Sequence, residues 1–359
     1  MLVLFIDALN PKYLNYMPYL KKLYKENLSG QLEIPLGYTS ILSSFFTGSN
    51  PDKHNIIDLF ELSKKLNHLV CRCPFWVNIK RLLFNQRLFY TPLKINRKKA
   101  KYFETFTKKA WPQKNSLILP TLFDILEKNN KSFTFIDFPN YFINRKGKLF
   151  FKNTINNIIK KIKKAKTDLV FAHFLDLEAA HKYGINSEEV KKIAIELDTA
   201  ISKLNYDRIL IFSDHSMINI KNEINLQEKL DKLSLRYGID YIYFLGSTLA
   251  RFWFKNKIAE NKIKNLLKTV KQGKIINLQQ YNLPNTCDLV FLTNIGTVIH
   301  PNFYMKNKKY KAMHGWKQNT LYIAKGYKGK KKARIIDMLP TILKMMKLSK
   351  IKCDGKSLI

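Results

Sequence analysis

Three apolar runs in this sequence each lead into an aspartate, namely Asp7, Asp176 and Asp214. Runs this rich in Val, Ile, Leu and Phe predict strands that are buried on both faces of a parallel sheet. In open α/β sheets, ligands bind at the carboxyl ends of the strands. Three carboxylates gathered at one edge would repel one another, so we expect a positive charge between them. A metal ion is the simplest candidate.

Three histidines accompany these carboxylates. His215 directly follows Asp214 at the end of a predicted buried strand, which favours a site. His181 comes soon after Asp176, but such a pair alone is more typical of a surface loop. His314 lies beside a glycine, where a structural role is the ordinary interpretation. Asp and His donors without a thiolate suit Zn²⁺ in a catalytic site, with Mn²⁺ as the rival.

Thr39 lies between a predicted strand, Gln31–Leu36, and a predicted short helix, Ser40–Phe46. A hydroxyl at this place meets free backbone N–H groups and the positive end of the helix dipole, which favours a phosphate or an alkoxide. A threonine needs a base or a metal to become a nucleophile. Taken alone, Thr39 is better explained as a helix N-cap than as a nucleophile.

The charge balance is strongly basic, with a formal net charge of +36 from 63 basic and 27 acidic residues. All but nine of the basic residues are Lys, and they are spread along the chain, as expected of solvated faces and a compositional bias. Nucleic acid is therefore not a required partner. The positive field would still attract anionic phosphorylated small molecules. Peripheral contact with anionic lipid stays an alternative.

The four cysteines form no disulfide framework, which favours reduced thiols in the cytoplasm. The first residues lack the basic region and cleavage site of a signal peptide, so we expect them to form the first strand of the sheet. No apolar run is long enough to predict a transmembrane helix.

The fold class predicted is α/β, with a mostly parallel central sheet and helices on both faces. We expect one domain over residues 1–359, with inserted cap segments at about 58–117 and 221–312 that shape the substrate pocket. The first insertion alternates aromatic and basic residues without a clear period. A helix is predicted at Pro18–Glu26. Another is predicted at Glu188–Leu204, where apolar residues recur at helical spacing.

Five ordered motifs resemble the alkaline phosphatase superfamily, and within it the type I phosphodiesterase/nucleotide pyrophosphatase branch. They are Asp7 closing the first strand, Thr39 ahead of Thr47-Gly48…Pro51…His54-Asn55, Asp176…His181-Lys-Tyr-Gly184, Ser213-Asp214-His215-Ser216-Met217, and His314-Gly315. The C-terminal residues 336–358 also look like the ending of this family. The resemblance covers nearly the whole chain, but it is specific only at these motifs.

The resemblance implies two divalent metal ions, Zn²⁺ or else Mn²⁺. One ion would be held by Asp7, Asp214 and His215, with Thr39 completing its ligands. The other would be held by a second set: Asp176, His181 and His314. It also implies that Thr39 is the catalytic nucleophile and passes through a phospho-threonine intermediate.

This sequence departs from the family pattern at four places. Thr39 precedes Gly48 by one position fewer than is common, which leaves Ser40 as a fallback nucleophile. Asp176 is one residue too far from His181, which leaves Glu178 as a substitute ligand. Asn55 and Ser216 each replace a glycine, although Asn tolerates the left-handed conformation.

The expected function is hydrolysis of a phosphodiester or nucleotide-type substrate. A phosphotransferase or a phosphomonoesterase of the same superfamily is the first alternative, because these enzymes share the first half-reaction. The alternative of another class is a non-catalytic basic protein that binds nucleic acid or other anions on an inactive scaffold. Against that alternative, all ligand types of the metal site are present.

Overall fold

The computed structural model describes residues 1–37, 39–64, 97–105, 115–137, 154–304, 310–316 and 318–359, except for the side chains of Thr39, Arg97, Lys98 and Thr105. Most of the first predicted insertion, at about 58–117, lies outside the described residues. So do most of its alternating aromatic and basic residues, and Tyr38.

The strands, in chain order, are β1 (Leu2–Ile6), β2 (Leu28–Glu33), β3 (Phe60–Leu62), β4 (Phe103–Thr105), β5 (Phe133–Ile136), β6 (Leu169–Phe174), β7 (Ile209–Phe212), β8 (Ile218–Asn219), β9 (Asn222–Ile224), β10 (Tyr241–Leu245), β11 (Leu249–Phe254), β12 (Gly273–Ile276), β13 (Leu289–Thr293), β14 (Thr297–Ile299), β15 (Ala312–Met313), β16 (Asn319–Lys325) and β17 (Ala333–Arg334). The α-helices are α1 (Pro18–Glu26), α2 (Thr39–Thr47), α3 (Pro51–His54), α4 (Arg97–Ala100), α5 (Leu122–Lys128), α6 (Ile155–Lys164), α7 (Ala180–Tyr183), α8 (Glu188–Ser202), α9 (Leu226–Asp231), α10 (Lys257–Thr269) and α11 (Met338–Met345). Short 3₁₀ helices cover Pro11–Asn15, Asp176–Ala179, Gln279–Tyr281 and Ile335–Asp337.

Within the described residues, the central sheet has seven strands in the order β17-β2-β16-β7-β1-β6-β5. β1 pairs in parallel with both β6 and β7, and β5 extends the parallel part beyond β6. Only β16 runs against its neighbours β2 and β7. The sheet is therefore mostly parallel, as predicted, and β1 is at the centre of its parallel part.

Helices cover both faces of this sheet, which confirms the predicted α/β layering. Side chains alternate along a strand, so Leu2, Leu4 and Ile6 of β1 pack in one core with apolar residues of α1, α6 and α8. Val3 and Phe5 pack on the opposite face with residues of α2, α5 and α11. Because both faces of β1 are buried, its sequence is a continuous apolar run rather than an alternating one.

A separate four-stranded antiparallel sheet, in the order β10-β11-β13-β12, lies in the segment predicted as the second insertion. Its apolar core also takes in Phe60 and Trp316 from outside that segment. Arg251 in β11 is buried, lies 3.4 Å from the Asp58 carboxylate and donates to the Phe60 carbonyl at 2.7 Å. These contacts hold the second sheet against the segment that follows α3.

Among the described residues, no helix is both long and apolar enough to span a membrane.

Candidate metal centre

The carboxyl ends of three neighbouring strands meet at one edge of the central sheet. Ile6 pairs with Phe174 in β6, and Phe5 pairs with Phe212 in β7. Asp7 therefore begins its loop beside the segments that follow β6 and β7. The Asp7 amide donates to the Phe174 carbonyl at 2.9 Å, which keeps the chain in register for one more residue.

The first donor group consists of Asp7, Glu178 and His215, each of which can place one ligand atom within 4.8 Å of the others. His215 Nε2 lies 3.2 Å from Asp7 Oδ1, 3.4 Å from Asp214 Oδ2 and 3.7 Å from Glu178 Oε1. Asp7, Asp214 and His215 are all less than a tenth exposed. Three carboxylates thus surround one imidazole nitrogen in a buried place.

The second donor group consists of Glu178, His181 and His314, again with ligand atoms within 4.8 Å of one another. His181 Nδ1 lies 2.7 Å from the Ala312 carbonyl oxygen. A carbonyl can only accept, so Nδ1 carries the proton and Nε2 is left with a free lone pair. His181 Nε2 lies 3.4 Å from Glu178 Oε2. The hydrogen bond from Nδ1 to the Ala312 carbonyl is the arrangement that fixes the tautomer of a metal-binding histidine.

His314 is brought to the centre by a short antiparallel ladder. Met313 in β15 pairs with Ile218 in β8, only three residues after His215. Farther along, Trp316 is buried and its indole N–H donates to Thr293 Oγ1 at 3.0 Å. The four-stranded sheet therefore anchors the loop that carries His314.

The buried carboxylates of the site favour the binding of a cation. Burial, with the nearby Asp7 charge adding to it, raises the pKa of Asp214 well above its ordinary value. Burial alone would also raise the pKa of Asp7. Hydrogen bonds with His173 and His215 outweigh burial and hold the pKa of Asp7 well below its ordinary value. Burial lowers the pKa of His215, yet Asp214 and Asp7 outweigh it and raise that pKa to about 10.

The pKa of His314 lies well below its ordinary value because of burial and of the neighbouring imidazoles of His215 and His181. His314 is therefore neutral and able to bind a metal ion. Glu178 Oε1 is buried and has no hydrogen-bond partner among the described residues. A divalent ion would take the place of the proton on His215 and satisfy the free carboxylate oxygen. The donor set, with its oxygens and neutral imidazole nitrogens and no thiolate, fits Zn²⁺ or Mn²⁺.

The segment carrying Thr39 begins α2 at its first residue. Gly37 has φ +109°, and a Cβ there would lie 2.7 Å from the Ile57 carbonyl oxygen. The turn into the helix therefore needs glycine. Ser40 is fully buried and its hydroxyl donates to the Leu36 carbonyl at 2.8 Å, which disfavours it as the nucleophile. The Thr39 side chain lies outside the described part of the structure.

The other end of α2 is braced from two sides. His54 Nε2 lies 2.9 Å from Ser44 Oγ within the buried α2–α3 contact. Asn55, which replaces a glycine of the family pattern, has φ +60° and ends α3 in the left-handed conformation that asparagine tolerates. From the C-terminal motif, Gly355 N–H donates to the Gly48 carbonyl at 2.9 Å.

Of the seven residues predicted from the sequence, five lie together: Asp7, His181, Asp214, His215 and His314. Asp176 begins the 3₁₀ helix after β6 and is in neither donor group. It stays a predicted ligand, as does Thr39. Glu178, noted in the sequence only as a substitute, belongs to both groups.

His173 was missed from the sequence. It is the fifth residue of β6 and is buried, with Nε2 3.3 Å from Asp7 Oδ2. A polar residue inside an otherwise apolar strand, two residues before its predicted end, was the available signal. Since a single histidine in a strand is ordinarily a core residue, that signal was weak.

The fold and the match to a family model together place this protein among the hydrolases of the alkaline phosphatase superfamily. The sequence model of the family "Type I phosphodiesterase / nucleotide pyrophosphatase" matches residues 1–317. The chain belongs to this family and is a hydrolase acting on phosphoric ester bonds. No curated protein matches the sequence.

Solved structures of low sequence identity share the fold. Murine ectonucleotide pyrophosphatase/phosphodiesterase 5 superposes with a TM-score of 0.69 at 13% identity, covering 99% of this chain and 97% of that one. The human protein of the same name gives 0.68 at 13% identity, with the same coverage. Phosphonoacetate hydrolase from Sinorhizobium meliloti 1021 gives 0.67 at 14% identity, covering 94% of this chain and 93% of that one.

Proposed function

We propose that this protein hydrolyses a nucleotide-type phosphodiester or pyrophosphate with two divalent ions, through a phospho-threonine on Thr39. The observation that carries the proposal is the pair of donor groups at the carboxyl ends of β1, β6 and β7. A structure of the murine relative, an inactive variant in complex with AMP, supports a nucleotide-type substrate. The strongly basic chain suits such an anion.

We assign one ion to Asp7, Asp214 and His215, with Thr39, and the other to the histidines His181 and His314, with Asp176 as the predicted carboxylate. When bound, two such ions activate a hydroxyl and stabilise the leaving oxygen of an in-line displacement. His181 presents Nε2 because its Nδ1–H is held by the Ala312 carbonyl. His314 stays neutral and available because of its burial and its neighbouring imidazoles.

In the first step, the Thr39 hydroxyl loses its proton as its oxygen bonds to phosphorus, the bond from phosphorus to the leaving oxygen breaks, and the leaving group of a phosphodiester departs with a proton as an alcohol. In the second step, the oxygen of a water molecule bonds to phosphorus and loses a proton, the bond from phosphorus to the Thr39 oxygen breaks, and Thr39 regains a proton as the phosphorylated product leaves. The backbone N–H groups of the first turn of α2 have no acceptor within the helix, so they can stabilise the charge on the phosphoryl oxygens. Thr39 is at the first position of that turn.

The test combines metal analysis with a choice of substrates. We expect the purified protein to hold two divalent ions per chain and to cleave an aryl diester of a nucleotide faster than p-nitrophenyl phosphate. Asp214→Asn is the matched control, because it removes one charged ligand while keeping the side-chain shape; hydrolysis should collapse. Faster cleavage of the monoester would identify a phosphatase instead.

A phosphotransferase would show itself by transfer of the phosphoryl group to an added alcohol in preference to water. The non-catalytic alternative predicts different results. There, nucleic acid binds with a steep salt dependence, metal content is near zero, and neither Zn²⁺ nor Mn²⁺ produces hydrolysis. That combination of results would end the enzymatic proposal.

A further inference from the structure

Glu178 faces both donor groups, with a different carboxylate oxygen toward each. Its Oε2 lies 3.4 Å from His181 Nε2, and its Oε1 lies 3.7 Å from His215 Nε2. His181 belongs to one group and His215 to the other. The two oxygens of one carboxylate are thus divided between the two places where an ion would bind.

The backbone explains why Glu178, and not Asp176, has this position. The 3₁₀ helix Asp176–Ala179 runs directly into α7, which carries His181. In such a turn, residues three apart lie on the same side, whereas residues two apart do not. Glu178 and His181 are three apart and share a side. Leu177, between the two acids, is fully buried and anchors the turn in the core.

The hydrogen bonding of Glu178 Oε1 gives a second observation. Oε1 is buried and accepts no hydrogen bond from any described residue. A buried carboxylate oxygen without a donor is costly. A cation between Oε1 and the first donor group would satisfy it. Oε2, toward His181, would remain available for a cation in the second group.

We propose that Glu178 bridges the two metal ions, with one carboxylate oxygen bound to each. This inference rests on the proposed two-metal function. Paired catalytic ions lie roughly 3.5–4 Å apart, a separation that the two oxygens of one carboxylate can span. Glu178 therefore couples the two sites, so that losing it weakens both. Asp176, the predicted carboxylate of the second site, serves that site alone.

The experiment loads the protein with Mn²⁺ and follows its paramagnetic resonance spectrum together with a binding titration. The wild-type protein should take up two ions per chain with an exchange-coupled spectrum. In Glu178→Gln, we expect both stepwise affinities to fall by at least about tenfold and the coupled spectrum to be replaced by that of isolated ions. Glu189→Gln is the matched control: it makes the same chemical change at an exposed position of α8 outside both donor groups, and it should keep both affinities and the coupled spectrum.

The Glu178 side chain is about a third exposed, and glutamine keeps its shape, so thermal unfolding of the metal-free variant should match the wild type. A coupled spectrum and two unchanged affinities in Glu178→Gln would overturn the bridge while leaving the hydrolase proposal intact. In the opposite case, coupled ions that depend on Glu178 without any hydrolysis would uphold the bridge and refute the proposed function.

Discussion

The imidazole rings of His215 and His314 lie parallel, with their centroids 3.7 Å apart and their planes 3° from each other. Two rings this close cannot both carry a positive charge at low cost. The adjacent carboxylates raise the pKa of His215 to about 10, whereas burial and His215 itself lower that of His314. His215 therefore holds a proton that a metal ion must displace, whereas His314 is neutral and can bind a metal ion directly.

The nucleophile is tested by three substitutions in one segment. Thr39→Ala should lower kcat by several orders of magnitude, as removal of a nucleophile does, while both ions stay bound. Thr39→Ser keeps the hydroxyl and should keep appreciable activity. Ser40→Ala removes only a hydrogen bond to the Leu36 carbonyl and should stay active. An inactive Ser40→Ala beside a nearly wild-type Thr39→Ala would show that the nucleophile is one residue away from the predicted position.

His173 should position Asp7 rather than touch the substrate. Its Nε2 lies 3.3 Å from Asp7 Oδ2, and loss of such a supporting partner typically lowers metal affinity by about 10–100-fold. We expect this loss in His173→Gln, measured by competition with a chelator. His54→Gln, a substitution outside both donor groups, is the control and should bind metal as the wild type does. Equal affinities in the two variants would refute the positioning role.

His54 should make the fold sensitive to acid. Its Nδ1 accepts from the Ile56 amide at 3.2 Å, so Nε2 carries the proton toward Ser44, and burial lowers the pKa of His54 to about 3. Below about pH 6.5 the unfolded chain takes up a proton that the folded chain refuses. The free energy of unfolding should therefore fall on acidification from about pH 6.5 toward pH 3, by up to about 1.4 kcal/mol per pH unit.

The measurement for His54 is urea unfolding of the metal-free protein at several pH values, compared with His54→Gln. Subtracting the two curves cancels the other titrating groups, since both proteins contain them. The difference should grow in favour of the wild type as pH rises. A difference that is flat between pH 4 and pH 7 would show that His54 does not resist protonation in the folded state.

The basic charge should speed the association of enzyme and substrate rather than the chemical step. Raising the salt concentration shortens the screening length from about 8 Å at physiological ionic strength, so kcat/KM for an anionic nucleotide ester should fall. The value of kcat, set by groups at close range, should change little. A neutral aryl triester serves as the control substrate for binding and should show no salt dependence. An equal fall in kcat would contradict steering.

The general architecture was predictable because the burial of a strand determines which residue types it contains. A strand covered on both faces must be apolar throughout, so β1, β6 and β7 stood out together with the aspartates after them. The helix α1 begins and ends where it was predicted, at Pro18–Glu26. The direction of β16 was not predictable, because an apolar strand reads the same whether its neighbours run parallel or antiparallel to it.

The candidate site was harder to predict where local geometry overrides spacing. Asp176 was favoured because it ends a predicted apolar strand and matches the family motif, and it stays a predicted ligand. The chain enters a 3₁₀ turn at this residue, which brings Glu178 to the side of His181. No rule of composition marks where such a turn begins. His173 was hidden for the opposite reason, since it lies inside the strand, before the edge where ligands are sought.

The central place of β1 has a consequence for how the chain is made. The hydrogen bond from Leu9 N–H to Ser213 Oγ joins residues 204 apart, so β7 is synthesised long after β1. At ordinary synthesis rates this delay is about 10–40 s. Until β6 and β7 have been made, the apolar strand β1 lacks its neighbours in the sheet and is exposed to other chains, which makes it a natural target for chaperones and a site of aggregation. Asp7 cannot complete its donor group until His215 has been made.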